Sequence, residues 1–431
     1  MVFPDLITNR EILMEQASLN HGRLRRRNRA RVLLEILRGQ APTRTQIAES
    51  LGLSVMGVAR IVRELMLAGL VEEGAKTPLN SVGRPGIQLS LNAGGAYVIG
   101  LSINAYEPSI SLANLRGEVI LRRPVRLSKL TDGQRVVSEC PRAVRELISE
   151  AGVSRKRVLG LGTVVGGVVN TQEGVVLSAP FLGWGFTEIA APLHRALGIP
   201  VVIETLDNAL LLAEVRFGIG AGKRSVLFFR SAAGLGGSLL IDGRLIRGAH
   251  FKAGQIGHMR IKGATRVCSC GQAGCLNTVS SGGAVFADLG LASAPIPSSK
   301  DFAQNKRLLD QVVRAAMKGD RRTNQVLFRA GRCLAEAVLG LVVAVDAEQV
   351  LLAGPLSTCA SYRKGFESGL AEAFPGAAEL LSLSTMDHCY AAALLALSEL
   401  VLSDRLAFGR LQPGNGVRPR AESRELVEME I

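Results

Sequence analysis

Aromatic residues are scarce: Phe, Trp and Tyr make up 4% of 431 residues, with one Trp and four Tyr. An aromatic-rich β-sandwich core is thereby excluded. The apolar content falls to Ala, Val, Leu and Gly, which suit the tight helix–sheet contacts of an α/β protein. Long apolar runs are missing too. No stretch reaches the roughly 18–20 residues that a membrane-spanning helix needs, so no membrane insertion is expected. The run from Ala337 to Val345 reads as a buried helix. The N-terminus carries Asp5, Glu11 and Glu15 and lacks the apolar centre of a signal peptide, so a cytoplasmic location is expected. In that reducing compartment, three cysteines crowded between Cys268 and Cys275 point to a metal and not to disulfides. Cys140, Cys333, Cys359 and Cys389 are scattered and read as buried small apolar residues.

Acidic residues are also in short supply, 37 against 51 Lys and Arg, which leaves a net charge of +14. Between His21 and Leu70 ten Arg face three Glu, an excess of seven and half of the whole imbalance. Charge concentrated beside a helical motif favours nucleic acid as the partner. After a loosely helical arm over 1–22, "RLRRRNRARVLLEILRG" reads as an amphipathic helix ending at Gly39. Thr43 is a candidate N-cap for a short helix that turns at Gly52. Ser54 caps the next helix, which has Val58, Ile61, Val62 and Leu65 on its inner face. Helix, short glycine turn, helix is the helix-turn-helix pattern, and its second helix enters the major groove by its N-terminal end. Two short strands around a Gly/Pro-rich loop follow as a wing. Its Arg84, between Gly83 and Pro85, suits a narrow minor groove. This winged helix-turn-helix is assigned to 23–92. Its candidate DNA contacts are Arg44, Ser54, Val55, Met56, Arg60 and Arg84, with Arg60 the best placed to read guanine. The partner expected is double-stranded DNA with a palindromic operator.

From Tyr97 the pattern becomes strands and helices. "AYVIGLSI", "SISLANL" and "EVILRRPVRL" form a β-meander, and a helix runs from about Asp132 to Ala151. Strand–glycine turn–strand hairpins occur twice, at "VIGLSINAYEPSISL" and "VLFFRSAAGLGGSLL". This weak duplication implies two similar lobes with a cleft between them, over 93–408. The segment 409–431 is rich in charge, Pro and Gly and is expected to be disordered. Within a loop over 253–277, Cys268, Cys270 and Cys275 with His258 make a Cys3His set. Thiolates and an imidazole suit tetrahedral Zn2+, and four protein ligands leave no open position for a catalytic water. The expected zinc is therefore structural.

The stretches "VVIETLDN", "GLGGSLLIDGRLIRGAH", "AGQIGHM" and "CSCGQAGCL", placed after a winged helix, resemble the ROK family (repressors, open reading frames and kinases), and specifically its repressor branch. The resemblance covers about 24–400. It implies an α/β architecture in which the winged helix-turn-helix joins a two-lobed actin/hexokinase-like (ribonuclease H-like) ROK domain, assembled as a homodimer or homotetramer. The family's kinases use an Asp-x-Gly-Gly-Thr turn for nucleotide phosphates. Here Ser102, Asn104, Ala105 and Tyr106 stand in the matching stretch, and Ala232-Ala233 replaces Gly-Thr at the head of the second glycine turn. The family's catalytic Asp falls, in register, on Leu206, which cannot accept a proton. Asp207, one residue later, reads as the N-cap of the following helix. The resemblance also implies that Gln255 and Asn277 stand where two sugar-binding Glu would be, that Thr205 stands for an Asn, and that His258 borders the sugar pocket.

Thr205, Asp207, Gln255, His258 and Asn277 are thus the candidate effector-pocket residues, for a sugar or sugar acid. No catalytic residue is assigned. The function expected is a sequence-specific transcriptional regulator, a repressor of carbohydrate uptake or catabolism genes with a degenerate kinase-like domain. The alternatives are a ROK sugar kinase with a DNA-binding head, or a ligand-independent regulator controlled by protein docking.

Overall fold

The computed structural model describes residues 9–39, 41–76, 86–292, 302–372, 374–406 and 408–411. Three helices open the chain: α1 (Asn9–Arg38), α2 (Arg44–Leu51) and α3 (Val55–Leu67). One continuous α1 runs through the expected arm into the first helix of the head, so 22/23 is not a break in secondary structure. A capping box starts α2. The Thr43 hydroxyl accepts from the Gln46 amide at 3.4 Å, and Gln46 Oε1 accepts from the Thr43 amide at 2.8 Å. Gly52, at φ 63°, ends α2 in the left-handed region, and Ser54 caps α3 through the Gly57 amide at 3.1 Å. Val32, Leu33 and Ile36 of α1 pack with Ile47 and with Val58, Ile61, Val62 and Leu65 of α3. The strands β1 (Val71–Lys76) and β2 (Ile87–Leu91) pair antiparallel and complete a helix–turn–helix–hairpin head. Arg84, expected in the wing loop, lies outside the described residues, as do 412–431 of the expected tail.

The body has two five-stranded sheets. In the first, the meander β3 (Tyr97–Ile103), β4 (Ser109–Asn114) and β5 (Val119–Pro124) continues through β6 (Val158–Val165), with α4 (Gly133–Glu150) as crossover. A short sheet of β7 (Val168–Asn170), β8 (Val175–Ser178) and β9 (Thr187–Glu188) and the helix α5 (Ala190–Leu197) then lead to β10 (Val201–Thr205), and the order is β10-β6-β3-β4-β5. After α6 (Leu206–Phe217), the second sheet repeats the plan. A meander of β11 (Val226–Ser231), β12 (Leu235–Ile241) and β13 (Arg244–Leu245) is joined by the parallel strands β14 (Gln349–Ala353) and β15 (Leu381–Leu383). The strand plan expected to be duplicated from the two hairpins is present in both sheets. One face of this sheet is covered by α7 (Asn277–Ser280), α8 (Gly282–Leu289), α9 (Phe302–Met317), α10 (Arg321–Val345) and α11 (Ala360–Leu370).

The helix α12 (His388–Ala396) and α6 share one apolar cluster with inner residues of both sheets and with the head. Its close fit depends on two glycines that are neighbours across β3 and β6, Gly100 and Gly162. A Cβ on Gly162 would lie 2.0 Å from the Ala392 carbonyl oxygen, and one on Gly100 would lie 2.4 Å from the Ala393 amide nitrogen. Backbone cannot yield as a flexible side chain can. Gly162→Ala is therefore expected to destabilise the body by about 1–3 kcal/mol or more, read as a lower midpoint in urea unfolding; a wild-type midpoint would contradict this packing.

Candidate functional site

Three places hold the residues singled out by the sequence: the outer end of α3, the cleft beside α6, and the cysteine loop. On α3, the residues Val55, Met56 and Arg60 face outward, and Met56 is 85% exposed. Ser54 is exposed as well, but its hydroxyl accepts the Gly57 amide as the cap. Arg44 is tied to the hairpin, with its guanidinium 2.6 Å from Glu73 and 3.7 Å from the Met66 sulfur. On the flank of α3, Glu64 accepts from Arg25 and, at 2.9 Å, from Arg29. Burial pushes the Glu64 carboxyl up, but the two arginine hydrogen bonds and their charges outweigh it and hold the group below its ordinary range.

In the cleft, the structure corrects one assignment. The N-cap of α6 is Thr205, whose hydroxyl accepts the Asn208 amide at 3.3 Å. Asp207 instead sits within the first turn and binds Arg230 of β11, with Nε at 2.5 Å from Oδ1. The β10 strand ends at Thr205, two residues earlier than a cap at Asp207 requires, so the carboxylate is turned toward the second sheet. There it abuts Gly236, where a Cβ would lie 2.0 Å from Asp207 Oδ2. Leu206, in the register of a catalytic base, is buried and apolar. Asn277 approaches the same glycine-rich segment, and its Oδ1 accepts the Leu235 amide at 2.8 Å. Asp207 and Asn277 thus both border the glycine-rich segment 234–237. Gln255 is exposed on the adjoining loop, whose Gly254 backbone touches Gly237. Thr205 lies beside the buried Glu204, which is held by Arg247 at 2.7 Å, Asn208 at 3.0 Å and the Thr205 amide at 2.9 Å. Arg230 and Arg247 lie within stretches notable for their glycines, and only their tertiary partners, Asp207 and Glu204, make them part of the site.

The first phosphate turn is closed by its own side chains. Asn104 Oδ1 accepts from the amides of Tyr106 at 2.8 Å and Glu107 at 2.9 Å, and its Nδ2 donates to Ser102 and the Glu107 carbonyl. Tyr106 then reaches the second sheet, where its hydroxyl oxygen accepts the Ala233 amide at 3.2 Å. Backbone N–H groups that would cradle a phosphate are therefore already hydrogen-bonded within the chain. Burial pushes the Tyr106 phenol up, so it stays neutral at pH 7.

The cysteine loop brings all four expected ligands together. The ligand atoms of His258, Cys268, Cys270 and Cys275 lie within 4.8 Å of one another. Cys268 Sγ is 3.9 Å from His258 Nδ1, and Cys270 Sγ is 3.7 Å from Cys275 Sγ. Tetrahedral coordination at zinc bond lengths sets ligand atoms about 3.5–3.8 Å apart, so the set fits a small four-coordinate cation. Gly271 and Gly274, at φ 86° and 74°, make the tight turns, and a Cβ on Gly274 would lie 2.6 Å from the Ala264 carbonyl. Burial, with hydrogen bonding and charge from Cys270 and Cys268, pushes the Cys275 thiol up to about 12. A bound cation reverses that balance, since it holds thiolates deprotonated. From the first lobe, Phe181 packs on Cys268 and Cys275.

A helix–turn–helix–hairpin head on a body of two like five-stranded sheets defines the class. The chain belongs to the ROK family, whose model matches residues 100–392. It is 27% identical over 341 residues to a xylose repressor of Caldicellulosiruptor bescii, across 78% of this chain and 85% of the relative. Among solved structures, a ROK family transcriptional regulator described as a homologue of the Escherichia coli Mlc protein superposes with a TM-score of 0.75. It shares 24% identity and is covered over 91% of this chain and 100% of its own. The body also shares its fold with a ROK glucokinase of Streptomyces griseus in complex with glucose and AMPPNP, at a TM-score of 0.57 and 23% identity over 70% of this chain and 100% of that one.

Proposed function

We propose that the protein is a sequence-specific DNA-binding transcriptional regulator, a repressor of carbohydrate uptake or catabolism genes, with a non-catalytic sugar-kinase-like effector domain. The observation that carries this reading is the outward-facing N-terminal end of α3, with Val55, Met56 and Arg60, in a segment where ten Arg face three Glu. An exposed, Arg-bearing second helix of such a pair suits the major groove. The repressor name of the Caldicellulosiruptor relative supports the same conclusion. Homodimers or homotetramers would present paired α3 helices to a palindromic site. The cation in the Cys3His loop is Zn2+ in a structural role, since all four positions are taken by protein ligands. The effector is a sugar or sugar acid bound near Thr205, Gln255, His258 and Asn277. Selection of bound fragments from a random duplex library by the full chain tests the reading: an enriched motif with two related halves is expected, and a pool that stays random would refute it.

The kinase alternative meets a specific obstacle in Asn104 and Tyr106. A coupled assay of ATP consumption over a panel of neutral sugars is expected to stay at background. Leu206→Asp is expected to leave it there, because a base alone does not free the Tyr106, Glu107 and Ala233 amides. Sugar-dependent turnover by the unaltered chain would overturn the non-catalytic assignment.

A further inference from the structure

The end of the described chain returns to the head. Beyond α12, a π turn over Leu397–Val401 leads into the described residues 402–406 and 408–411, and Leu402, Leu406 and Leu411 join the cluster that holds Val32, Leu33 and Ile36 of α1. Phe408 lies under Arg29, with the guanidinium carbon 4.0 Å from the ring centroid. Arg29 is itself 9% exposed, and its Nε has no hydrogen-bond acceptor among the described residues, so the ring face takes the place of an acceptor. The other end of the same guanidinium donates to Glu64 on α3 at 2.9 Å. Arg410 anchors the segment to the first lobe by donating to the Gly198 carbonyl. At the start of the path, Arg216 of α6 binds Glu399 in the π turn at 3.0 Å. The head is also held by Arg116, which donates to the Leu91 carbonyl at 3.0 Å and binds Glu72 at 3.2 Å.

We infer that the segment 402–411 is a positioning element for the recognition helix, with Phe408 acting through Arg29 on Glu64. The inference rests on the reading of α3 as the DNA-reading helix. In physical terms, Arg29 is an exchangeable clamp. With the ring beneath it, the guanidinium is confined to the geometry that grips Glu64. Without the ring it is free to rotate toward solvent, and α3 keeps only Arg25 as a partner at that carboxylate. The aromatic face supplies the constraint, so an aliphatic side chain of similar bulk does not replace it.

The test compares Phe408→Leu and Phe408→Tyr in the full chain, with the duplex selected by the unaltered chain as probe. Amide hydrogen exchange along α1 and α3 is measured without DNA. Phe408→Leu is expected to weaken binding about threefold to tenfold and to speed exchange in α3, while exchange in β3 and β6 stays unchanged. Phe408→Tyr is expected to match the unaltered chain in both. Unchanged affinity and unchanged α3 exchange in Phe408→Leu would overturn the inference. So would faster exchange spread evenly over head and body, which marks general loosening. If the unaltered chain selects no duplex, the DNA reading fails, and the exchange pattern alone then decides whether 402–411 positions α3.

Discussion

Cys275→Ser is expected to abolish zinc binding at the proposed Cys3His site and to lower the stability of the second lobe by several kcal/mol, on the order of 4 or more. The loop over 253–277 explains so large an effect. Apart from the short turn Ile256–His258, it holds only isolated bridges, Arg260 with Cys275 and Val267 with Ala273. Its buried side chains are few, and Cys268 and Cys275 form a small cluster against Phe181. With so little apolar packing, the segment would owe its order to the proposed cation. The consequences extend to the cleft, because the loop delivers Asn277 to the Leu235 amide and Gly257 to the Asn277 side chain. Metal analysis with thermal unfolding checks this: about one zinc per unaltered chain is expected, little in the variant, and an earlier transition in the variant. A metal-free unaltered chain, or a variant that melts with it, would refute the structural role.

Arg60→Ala is expected to reduce affinity for the selected duplex about tenfold to a hundredfold, with little change in melting. Arg60 is exposed on α3 and has no ion pair among the described residues, so its guanidinium is available for a bidentate contact. Truncating it leaves the core face of Val58, Ile61, Val62 and Leu65 intact. Arg44→Ala should cost less binding, because that arginine must leave Glu73 before it can reach a phosphate. Titration of both variants against the selected and a scrambled duplex separates the two roles. Loss at Arg60 should fall on the selected sequence alone, whereas loss at a phosphate contact should fall on both. Equal losses on both duplexes for Arg60→Ala would place it on the backbone.

Much of this arrangement was legible in the sequence. The capping residues Thr43 and Ser54, the glycine turn at Gly52 and the inner face of α3 are local features, and local hydrogen bonds decide them. The meander and the helix α4, which begins after its cap Asp132, follow from alternation and helical spacing in the same way. The Cys3His set was readable because its ligands lie within a short span. The tertiary partners were not readable. Asp207 looked like a cap because Asp is a good one, but Thr205 holds that position and Arg230, from a strand 23 residues on, claims the carboxylate. The consequences of Tyr106 are long-range too, since its hydroxyl meets Ala233, 127 residues away. Gly100 and Gly162 gave no signal of their role, because only the approach of α12 makes them necessary.

The most direct measurement is the ratio of dissociation constants of the full chain for the selected duplex and for a scrambled duplex of equal length, at fixed physiological salt. A sequence-specific regulator is expected to prefer the selected duplex by about a thousandfold or more. A ratio near one would leave the basic head a general polyanion binder and contradict the assignment.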